Sequence, residues 1–185
     1  MLSSIHSLDS LTTAFRKGER LKFLFFWGHT GSHGRGVGKE CLSQWYPAPF
    51  EVDGVLYGTA EHYMMHRKAL LFSDDATAAK IVAARTPGEA KALGRAVRNF
   101  DETTWEQHRE SMAIVGNTAK FTQSPALGAF LRGTRNRVLA EASPVDRIWG
   151  IGLAADNEQV TNPLVWRGLN LLGFSLMEVR RRMAP

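Results

Sequence analysis

A helix start encoded at residues 86–89 constrains the fold of this chain more than any other feature of its sequence. Thr86 is a preferred capping residue, Pro87 suits the first helical position, and Glu89 can return a hydrogen bond to the cap. Reciprocal capping of this kind fixes where a helix begins, and similar signals recur through the rest of the chain. The sequence therefore predicts a mainly α-helical fold.

Further helices are predicted on both sides of this start. Apolar and long side chains follow helical spacing over residues 59–72, and a Ser-Pro start with a glycine end defines a helix over residues 124–133. A helix between them presents one apolar face, made by Trp105, Met112, Val115 and Ala119. The last helix is predicted to start at Asn162-Pro163 and to bury an apolar stripe, namely Val165, Leu169, Leu172, Leu176 and Val179.

Two stretches that precede the helices have the pattern of strands. Residues 21–27 are short, apolar and aromatic, and glycines follow them, as after a buried strand. Residues 50–57 alternate around Asp53-Gly54, a preferred pair for a two-residue hairpin turn. We therefore predict a single compact helical domain over residues 21–185 with a small N-terminal β-hairpin or sheet, preceded by an extension over residues 1–20.

The composition narrows the class of protein. At 185 residues, with 44% hydrophobic and 22% charged residues, the chain suits one globular domain. Its single cysteine, Cys41, excludes an internal disulfide framework, and no apolar run approaches the ~20 residues of a membrane span. We therefore expect a cytoplasmic protein with no membrane partner.

The net charge of +5 and the pI near 9.7 indicate an anionic partner. The basic residues are scattered, apart from Arg180, Arg181 and Arg182, which suit the C-terminal end of a helix. This distribution favours a phosphate-bearing small molecule over a DNA groove. It also argues against a nucleic-acid scaffold protein, which would need a contiguous basic face.

Two motifs fail the spacing tests for their usual chemistry. The glycine-rich residues 31–39 match neither a P-loop nor a Rossmann fingerprint, so we interpret them as a surface loop or as a lid that carries Arg35 or Lys39 to a phosphate. His62 and His66 have the separation of two zinc ligands on a helix, but no Cys or His cluster offers a third. We therefore predict no metal site, no cofactor and a buried, structural Cys41.

Two groups of residues have the composition of an active site. Glu61 lies in the first turn of its predicted helix, and Lys68 lies two turns further along nearly the same face. Residues 141–152 pack two acids, an arginine and a tryptophan into a turn punctuated by Gly and Pro. The structural alternatives are a dipole-stabilising glutamate with an exposed lysine, and a capped turn whose tryptophan lies in the core.

These residue types suit the hydrolysis of an N-glycosidic bond. Carboxylates such as Glu61 and Asp146 can stabilise an oxocarbenium-like transition state, while one of them activates water or transfers a proton. Trp149 can stack on a base or a ribose, and a desolvated Lys68 can act as an amine nucleophile. Asn170 can bond a sugar hydroxyl, or equally serve as a cap or packing residue.

Several motifs taken together resemble those of the YbiA/NADAR family, and their order and spacing match over about residues 23–183. The matching segments are residues 25–27, 42–50, 59–63 with Lys68, 86–95, 141–152, 170–173 and 176–180. Gln44-Trp45 replaces the more usual Asn-Phe of the family, and residues 134–136 replace a Thr-Gly-Asp. The first of these departures can reshape the wall of the pocket.

The resemblance implies a mainly helical N-glycosidase that acts on ribose-linked substrates. Two activities occur in such proteins: hydrolysis of ribosylaminopyrimidine phosphates, which are early riboflavin-pathway intermediates, and removal of ADP-ribose from guanine bases, as in ADP-ribosylated nucleic acid. Carried over by motif, Glu61 and Asp146 become catalytic carboxylates, and Lys68 becomes an amine able to form a Schiff base. The implied substrate-binding residues are Trp27, Tyr46, Arg147, Trp149 and Asn170.

A non-catalytic module is the alternative from another functional class. It would bind ADP-ribose or NAD in the same pocket, with aromatic side chains stacking on the ligand and basic side chains holding its phosphates. Catalytic turnover distinguishes the module from the enzyme.

Overall fold

The fold is built mainly from helices. The computed structural model describes residues 5–30 and 36–184. Within these ranges the elements are α1 (Leu8–Arg16), β1 (Phe23–Phe26), a 3-10 turn (Lys39–Leu42), β2 (Phe50–Val52), β3 (Val55–Tyr57), α2 (Ala60–Leu71), α3 (Asp75–Val82), α4 (Pro87–Arg95), α5 (Glu102–Gln123), α6 (Pro125–Gly133), β4 (Val138–Glu141), a second 3-10 turn (Pro163–Val165) and α7 (Leu171–Arg182). The predicted class, mainly α with a small sheet, is confirmed.

Strands β1 and β4 form a two-stranded parallel sheet. The register pairs Phe23 with Val138 and Phe26 with Glu141. The strand predicted at residues 21–27 is confirmed, whereas β4 has no counterpart in the prediction, because four residues are too few to display a periodicity. Since parallel strands end at the same edge of a sheet, Glu141 lies at the edge where the chain leaves β1.

Strands β2 and β3 form the predicted hairpin. They are antiparallel and leave Asp53 and Gly54 as a two-residue loop. Both loop residues have positive φ, 52° and 77°, as a type I′ turn requires. The Asp-Gly pair tolerates this backbone conformation, which explains why the local sequence identified the turn.

Three predicted helix starts are confirmed, because α2, α4 and α6 each begin directly after the expected Ser or Thr. The Thr86 hydroxyl accepts a hydrogen bond from the Glu89 amide at 3.1 Å. The Glu89 carboxylate in turn accepts from the Arg85 amide at 2.8 Å, one residue earlier than a reciprocal cap would place it. The cap is therefore shifted by one residue without moving the helix start.

The predicted start of the last helix is wrong. Asn162 caps the second 3-10 turn by accepting a bond from the Leu164 amide at 3.1 Å, and α7 begins only at Leu171. The amides between these elements bond to the turn at residues 147–151: Arg167 to Ile151, Leu169 to Arg147, and Asn170 to Gly150. Apolar spacing does not reveal this pairing with a distant turn, so Val165 and Leu169 lie outside α7.

The predicted apolar face of α5 is confirmed in part, because Trp105 is buried and Met112 and Ala119 pack against a hydrophobic core. Val115 is 46% exposed, whereas the buried positions include Trp105, Arg109, Ala113, Gly116 and Lys120. Two of these side chains are cations, which a search for apolar spacing passes over. Long cationic side chains can contribute apolar stems to a core, so the buried face also includes positions that apolar spacing does not mark.

Two hydrophobic cores meet beside residues 147–151. One surrounds the parallel sheet and α7, and the other lies among α2, α3, α4 and α5. Trp149 packs against both cores. Helix α1, within residues 1–20, covers the first core with a fully buried Leu11. In the described ranges, none of the helices has the length and hydropathy that a bilayer span needs.

Candidate active site

Glu61 is buried at the start of α2. Its backbone N–H donates to the Gln44 carbonyl at 3.0 Å, which ties the helix start to the preceding loop. The residue is 8% exposed, and this burial raises the pKa of Glu61, while Lys91 and a hydrogen bond from the Trp45 indole oppose the rise. An acid with such a perturbed pKa is typical of a functional site.

Asp146 is held in place by the turn that carries it. Its backbone N–H donates to the Ser143 hydroxyl at 3.1 Å. Its Oδ1 accepts N–H bonds from Ile148 at 2.9 Å and from Trp149 at 2.8 Å. The capped turn considered as the structural alternative is therefore present, and it also fixes the orientation of the carboxylate.

Glu141 is a third acid, which the sequence places in the same turn without a role. It ends β4, and its backbone is anchored on both sides. Its N–H donates to Asn170 Oδ1 at 3.0 Å, and its carbonyl accepts from the Ile151 amide at 2.9 Å. Its side-chain oxygen Oε2 is buried and has no hydrogen-bond partner among the described residues.

The three acids Glu61, Glu141 and Asp146 interact electrostatically, and we call them the carboxylate cluster. Burial raises the pKa of Glu141 to about 8, and the negative charges of Asp146 and Glu61 raise it further, whereas Lys91 opposes the rise. Like charges that share a site disfavour simultaneous ionisation. The carboxylate cluster therefore retains a proton at neutral pH.

A lysine and an indole from other elements border the carboxylate cluster. Lys91 on α4 interacts electrostatically with both Glu61 and Glu141, and its Nζ lies 5.7 Å from the centre of the Trp45 ring. The His29 ring lies 5.5 Å from the same indole. No motif in α4 marks Lys91, because only the packing of α4 against α2 brings it to the acids.

Gln44 contributes further polar atoms without partners. Both its side-chain nitrogen and its side-chain oxygen are buried, and neither has a hydrogen-bond partner in the part of the chain that the structure describes. Buried polar atoms are nearly always bonded in native folds, so exceptions require an explanation such as a bound ligand. These atoms lie beside the start of α2, whose Glu61 amide bonds to the Gln44 carbonyl.

Lys68 lies apart from the carboxylate cluster. Its Nζ donates to the Gly94 carbonyl at 2.9 Å and lies 4.1 Å from the centre of the Phe100 ring. Burial lowers the pKa of Lys68, and the charge of Glu102 opposes this shift. The seven residues between Glu61 and Lys68 correspond to about 10 Å along a helix axis. The two side chains share a helix face, but the described conformation does not bring them together.

Four of the predicted substrate-binding residues lie at different depths. Trp27 directly follows β1 and is 58% exposed, and Arg147 is exposed as well. Trp149 is half-buried between the two cores. Tyr46 is also half-buried, with its ring centre 5.8 Å from Lys120 Nζ. Two of these side chains are thus open to solvent, and two are partly built into the core.

The fifth predicted residue, Asn170, is fully buried. Its Oδ1 accepts from the Glu141 amide at 3.0 Å, and its Nδ2 donates to the Leu139 carbonyl at 2.9 Å. Both polar ends of the side chain therefore bond to the backbone of β4. These contacts favour the packing role that the sequence left open, and they position Glu141.

The two histidines considered as zinc ligands bond to protein groups. The ring of His62 bonds to the Thr59 hydroxyl at 2.8 Å and to the Ala84 carbonyl at 3.2 Å. His66 Nδ1 bonds to the Tyr57 hydroxyl at 2.8 Å. Within residues 5–30 and 36–184, no group of three His, Cys, Asp or Glu side chains is placed to hold a metal ion.

Cys41 is buried, as predicted, and burial raises the pKa of its thiol to about 12. Such a thiol is a poor nucleophile at neutral pH. In the glycine-rich segment, residues 31–35 lie outside the described residues, so the lid carrying Arg35 or Lys39 to a phosphate stays a prediction.

A groove of about 700 Å³ lies elsewhere, beside the end of α7. Three of the arginines that line it are already bonded: Arg180 to the Thr134 hydroxyl, and Arg181 and Arg182 to the Glu178 carboxylate. None of the three acids of the carboxylate cluster lines this groove. It is therefore a separate surface from the candidate active site.

Comparisons with known proteins show which family the chain resembles. The NADAR domain model matches residues 25–184. The chain is 41% identical over 164 residues to the N-glycosidase R617 of Acanthamoeba polyphaga mimivirus. The aligned region covers 86% of this chain and 95% of that relative. It is 31% identical over 136 residues to the N-glycosidase YbiA of Escherichia coli K12. This aligned region covers 74% of this chain and 76% of YbiA. The NMR structure of E. coli YbiA superposes with a TM-score of 0.70 at 26% identity, covering 87% of this chain and 84% of YbiA.

The helical fold, its buried acids and these relatives define a hydrolase that acts on N-glycosyl compounds. The chain belongs to the NADAR family, since the family model covers most of its length.

Proposed function

We propose that this N-glycosidase cleaves the bond between ribose and nitrogen in phosphate-bearing ribosyl compounds such as ribosylaminopyrimidine phosphates. The observation that carries the proposal is the carboxylate cluster, in which Glu61, Glu141 and Asp146 are brought together from α2, β4 and the following turn. Paired acids of this kind serve glycosidic cleavage, because one can stay ionised while another holds a proton.

The proposed reaction uses the acids in complementary roles. The oxygen of water bonds to the anomeric carbon of the ribose as the carbon–nitrogen bond breaks, and the electron pair of that bond stays on nitrogen. One proton of the water passes to an ionised carboxylate of the cluster, and a protonated acid of the cluster gives its proton to the departing nitrogen. Negative charge on Glu61 or Asp146 stabilises the oxocarbenium-like transition state.

Cations and indoles around the acids support a phosphate-bearing substrate. Lys91 and Arg95 of α4 both interact with the Glu61 charge, which places positive charge beside the site. A phosphate can bind such cations through charge-assisted hydrogen bonds. The indoles of Trp45 and Trp149 offer flat surfaces for a base.

Product analysis tests this proposal. The purified protein is incubated without added metal, once with a ribosylaminopyrimidine phosphate and once with DNA that carries ADP-ribosylated guanine. We expect ribose 5-phosphate from the first substrate. ADP-ribose from the second alone would identify a guanine-directed glycohydrolase instead. If neither product forms although ADP-ribose or NAD binds, the chain is a binding module and the proposal fails.

Two isosteric variants are the matched controls. Glu61→Gln and Asp146→Asn keep the size of each side chain and remove its ability to carry a negative charge. We expect both variants to bind the substrate and to release little product. Equal product release by the variants and the wild type would contradict the assignment of these two acids.

Lys68 is the candidate amine for a covalent route. Its Nζ would have to leave the Gly94 carbonyl, attack the anomeric carbon and expel the base, after which ring opening gives an imine that water hydrolyses. Reduction with borohydride during turnover should trap a stable ribosyl adduct that peptide mapping places on Lys68 and that Lys68→Ala lacks. An adduct on Lys91, or none in the wild type, would exclude Lys68 as the nucleophile.

A further inference from the structure

Glu141 combines a rigid backbone with an unpartnered side chain. The two hydrogen bonds from Glu141 to Asn170 and from Ile151 to Glu141 fix the end of β4 between α7 and the following turn. Its Oε2, however, is buried and bonds to no group of the described chain. An acid whose backbone is held so firmly, and whose buried oxygen has no donor, is suited to carry a proton rather than a negative charge.

The charged groups that face Glu141 point to the same state. They are Asp146 in the turn, Glu61 on α2 and Lys91 on α4. Two neighbouring carboxylates outweigh one lysine, and burial itself disfavours the ionised form. Together these effects raise the pKa of Glu141 to about 8, so its neutral form prevails at pH 7.

The other two acids each accept hydrogen bonds from protein donors. Asp146 Oδ1 accepts two N–H bonds from the backbone, which fix the carboxylate in the turn. Glu61 accepts a hydrogen bond from the Trp45 indole, which opposes the rise of its pKa that burial causes. Of the three acids, only Glu141 has a buried side-chain oxygen with no donor directed at it in the described residues.

We propose that Glu141 is the catalytic acid of the site and delivers its proton to the departing nitrogen, while Glu61 or Asp146 serves as the base. This assignment rests on the proposed function. As the carbon–nitrogen bond breaks, its electron pair stays on nitrogen and takes the proton of Glu141, and the attacking water passes a proton to the carboxylate of Glu61 or Asp146. Transfer of that proton back to Glu141 restores the starting state.

The decisive experiment varies the leaving group. Glu141→Gln keeps the shape of the side chain and removes its acidic proton. With a ribosylaminopyrimidine phosphate, we expect a loss of about 10²–10⁴-fold in kcat/KM, the usual contribution of acid–base catalysis. With 4-nitrophenyl β-ribofuranoside 5-phosphate, whose leaving group departs without protonation, we expect the variant to keep a rate within a few-fold of the wild type.

A pH profile gives a second readout that a purely structural role would not move. With the ribosylaminopyrimidine phosphate, the wild type should lose activity above about pH 8, as Glu141 loses its proton. Glu141→Gln should lack this alkaline decline. Glu178→Gln, an acid exchanged on the far side of α7, is the matched control and should keep both the wild-type rate and the wild-type profile.

The leaving-group and pH experiments can each overturn the role of Glu141. Equal losses with both leaving groups, or an alkaline decline that persists in Glu141→Gln, would overturn the role of Glu141 while leaving the proposed function intact. A wild type that cleaves neither substrate would overturn the proposed function itself.

Discussion

Two regions of the molecule bury an aspartate or glutamate, and they treat its charge in opposite ways. Asp74, which caps α3, is fully buried, and hydrogen bonds reach both of its oxygens. Oδ1 accepts from the Thr77 amide at 3.3 Å and the Arg98 guanidinium at 2.8 Å, and Oδ2 accepts from the Arg98 amide at 3.0 Å. These donors, Arg98 first, hold the pKa of Asp74 well below its usual range.

The carboxylate cluster is compensated far less completely. Glu141 has a buried oxygen without a partner, and Lys91 is the cation that it shares with Glu61. The pKa values of both glutamates are raised by burial, whereas that of Asp74 is lowered by its donors. A buried acid with matched donors stabilises a fold, whereas a buried acid without them costs stability, and such acids are typical of functional sites.

The largest effect expected from this contrast is on turnover. Glu61→Gln should lower the rate of ribose release by about 10²–10⁴-fold, because it removes a group that stabilises charge or moves a proton. Asp74→Asn changes an equally buried acid and should retain wild-type turnover. Both rates are to be measured at a temperature where circular dichroism shows each variant to be folded. Comparable losses in the two variants would remove the distinction between the regions.

The second prediction is that a substitution in the carboxylate cluster increases the stability of the fold, whereas most substitutions decrease it. The pKa of Glu141 is raised from 4.5 to about 8 on folding, so its contribution to stability is full below pH 4.5 and is lost as the pH rises towards 8. Glu141→Gln should therefore raise the free energy of unfolding at pH 8, by on the order of a few kcal/mol, and hardly change it at pH 4.5.

Urea unfolding at pH 4.5, 6 and 8 measures this effect in the wild type and in Glu141→Gln. The difference between the two proteins should grow with pH. A variant that is less stable than the wild type at pH 8 would mean that Glu141 is ionised and well compensated, like Asp74.

Local chemistry explains which parts of the fold were predictable. The starts of α2, α4 and α6 and the hairpin turn at Asp53-Gly54 depend on residues within a few positions of one another, and all are confirmed. Strand β4, the segment between Asn162 and α7, and the buried face of α5 depend on distant partners. Their local patterns are either too short or dominated by residues that tertiary packing places elsewhere.

The residues of the candidate site also fall into those that local sequence marks and those that only tertiary packing brings together. Glu61 and Asp146 stand at positions that local sequence marks, a first helical turn and a punctuated loop, and their electrostatic contact fits the hypothesis that they share one pocket. Lys91 and Gln44 join the site only through the packing of α2 against α4 and the preceding loop. Lys68 shares a helix face with Glu61, yet that spacing did not predict its bond to Gly94.

The third prediction tests the compensated acid. A group whose pKa is lowered on folding contributes stability that is present above its unfolded pKa, here 3.8, and is lost as the pH falls. Asp74→Asn should therefore be less stable than the wild type at pH 7, and the difference should shrink on acidification towards pH 2. Thermal unfolding across this range measures it. A pH-independent difference would show that the α3 cap, rather than the ion pair with Arg98, carries the contribution.

The smallest effect is expected at an acid on the surface, which serves as the reference for both regions. Glu178 accepts bonds from Arg181 and Arg182, each at 2.7 Å, and these arginines lower its pKa to about 2. The guanidinium groups are largely exposed, so water and salt screen the pairs. Glu178→Gln should reduce stability at pH 7 by less than about 1 kcal/mol, and by less still in 1 M salt. A larger loss, or one that salt leaves unchanged, would mean that pairing with arginine stabilises this fold even without burial, and that burial is not what separates Asp74 from the surface.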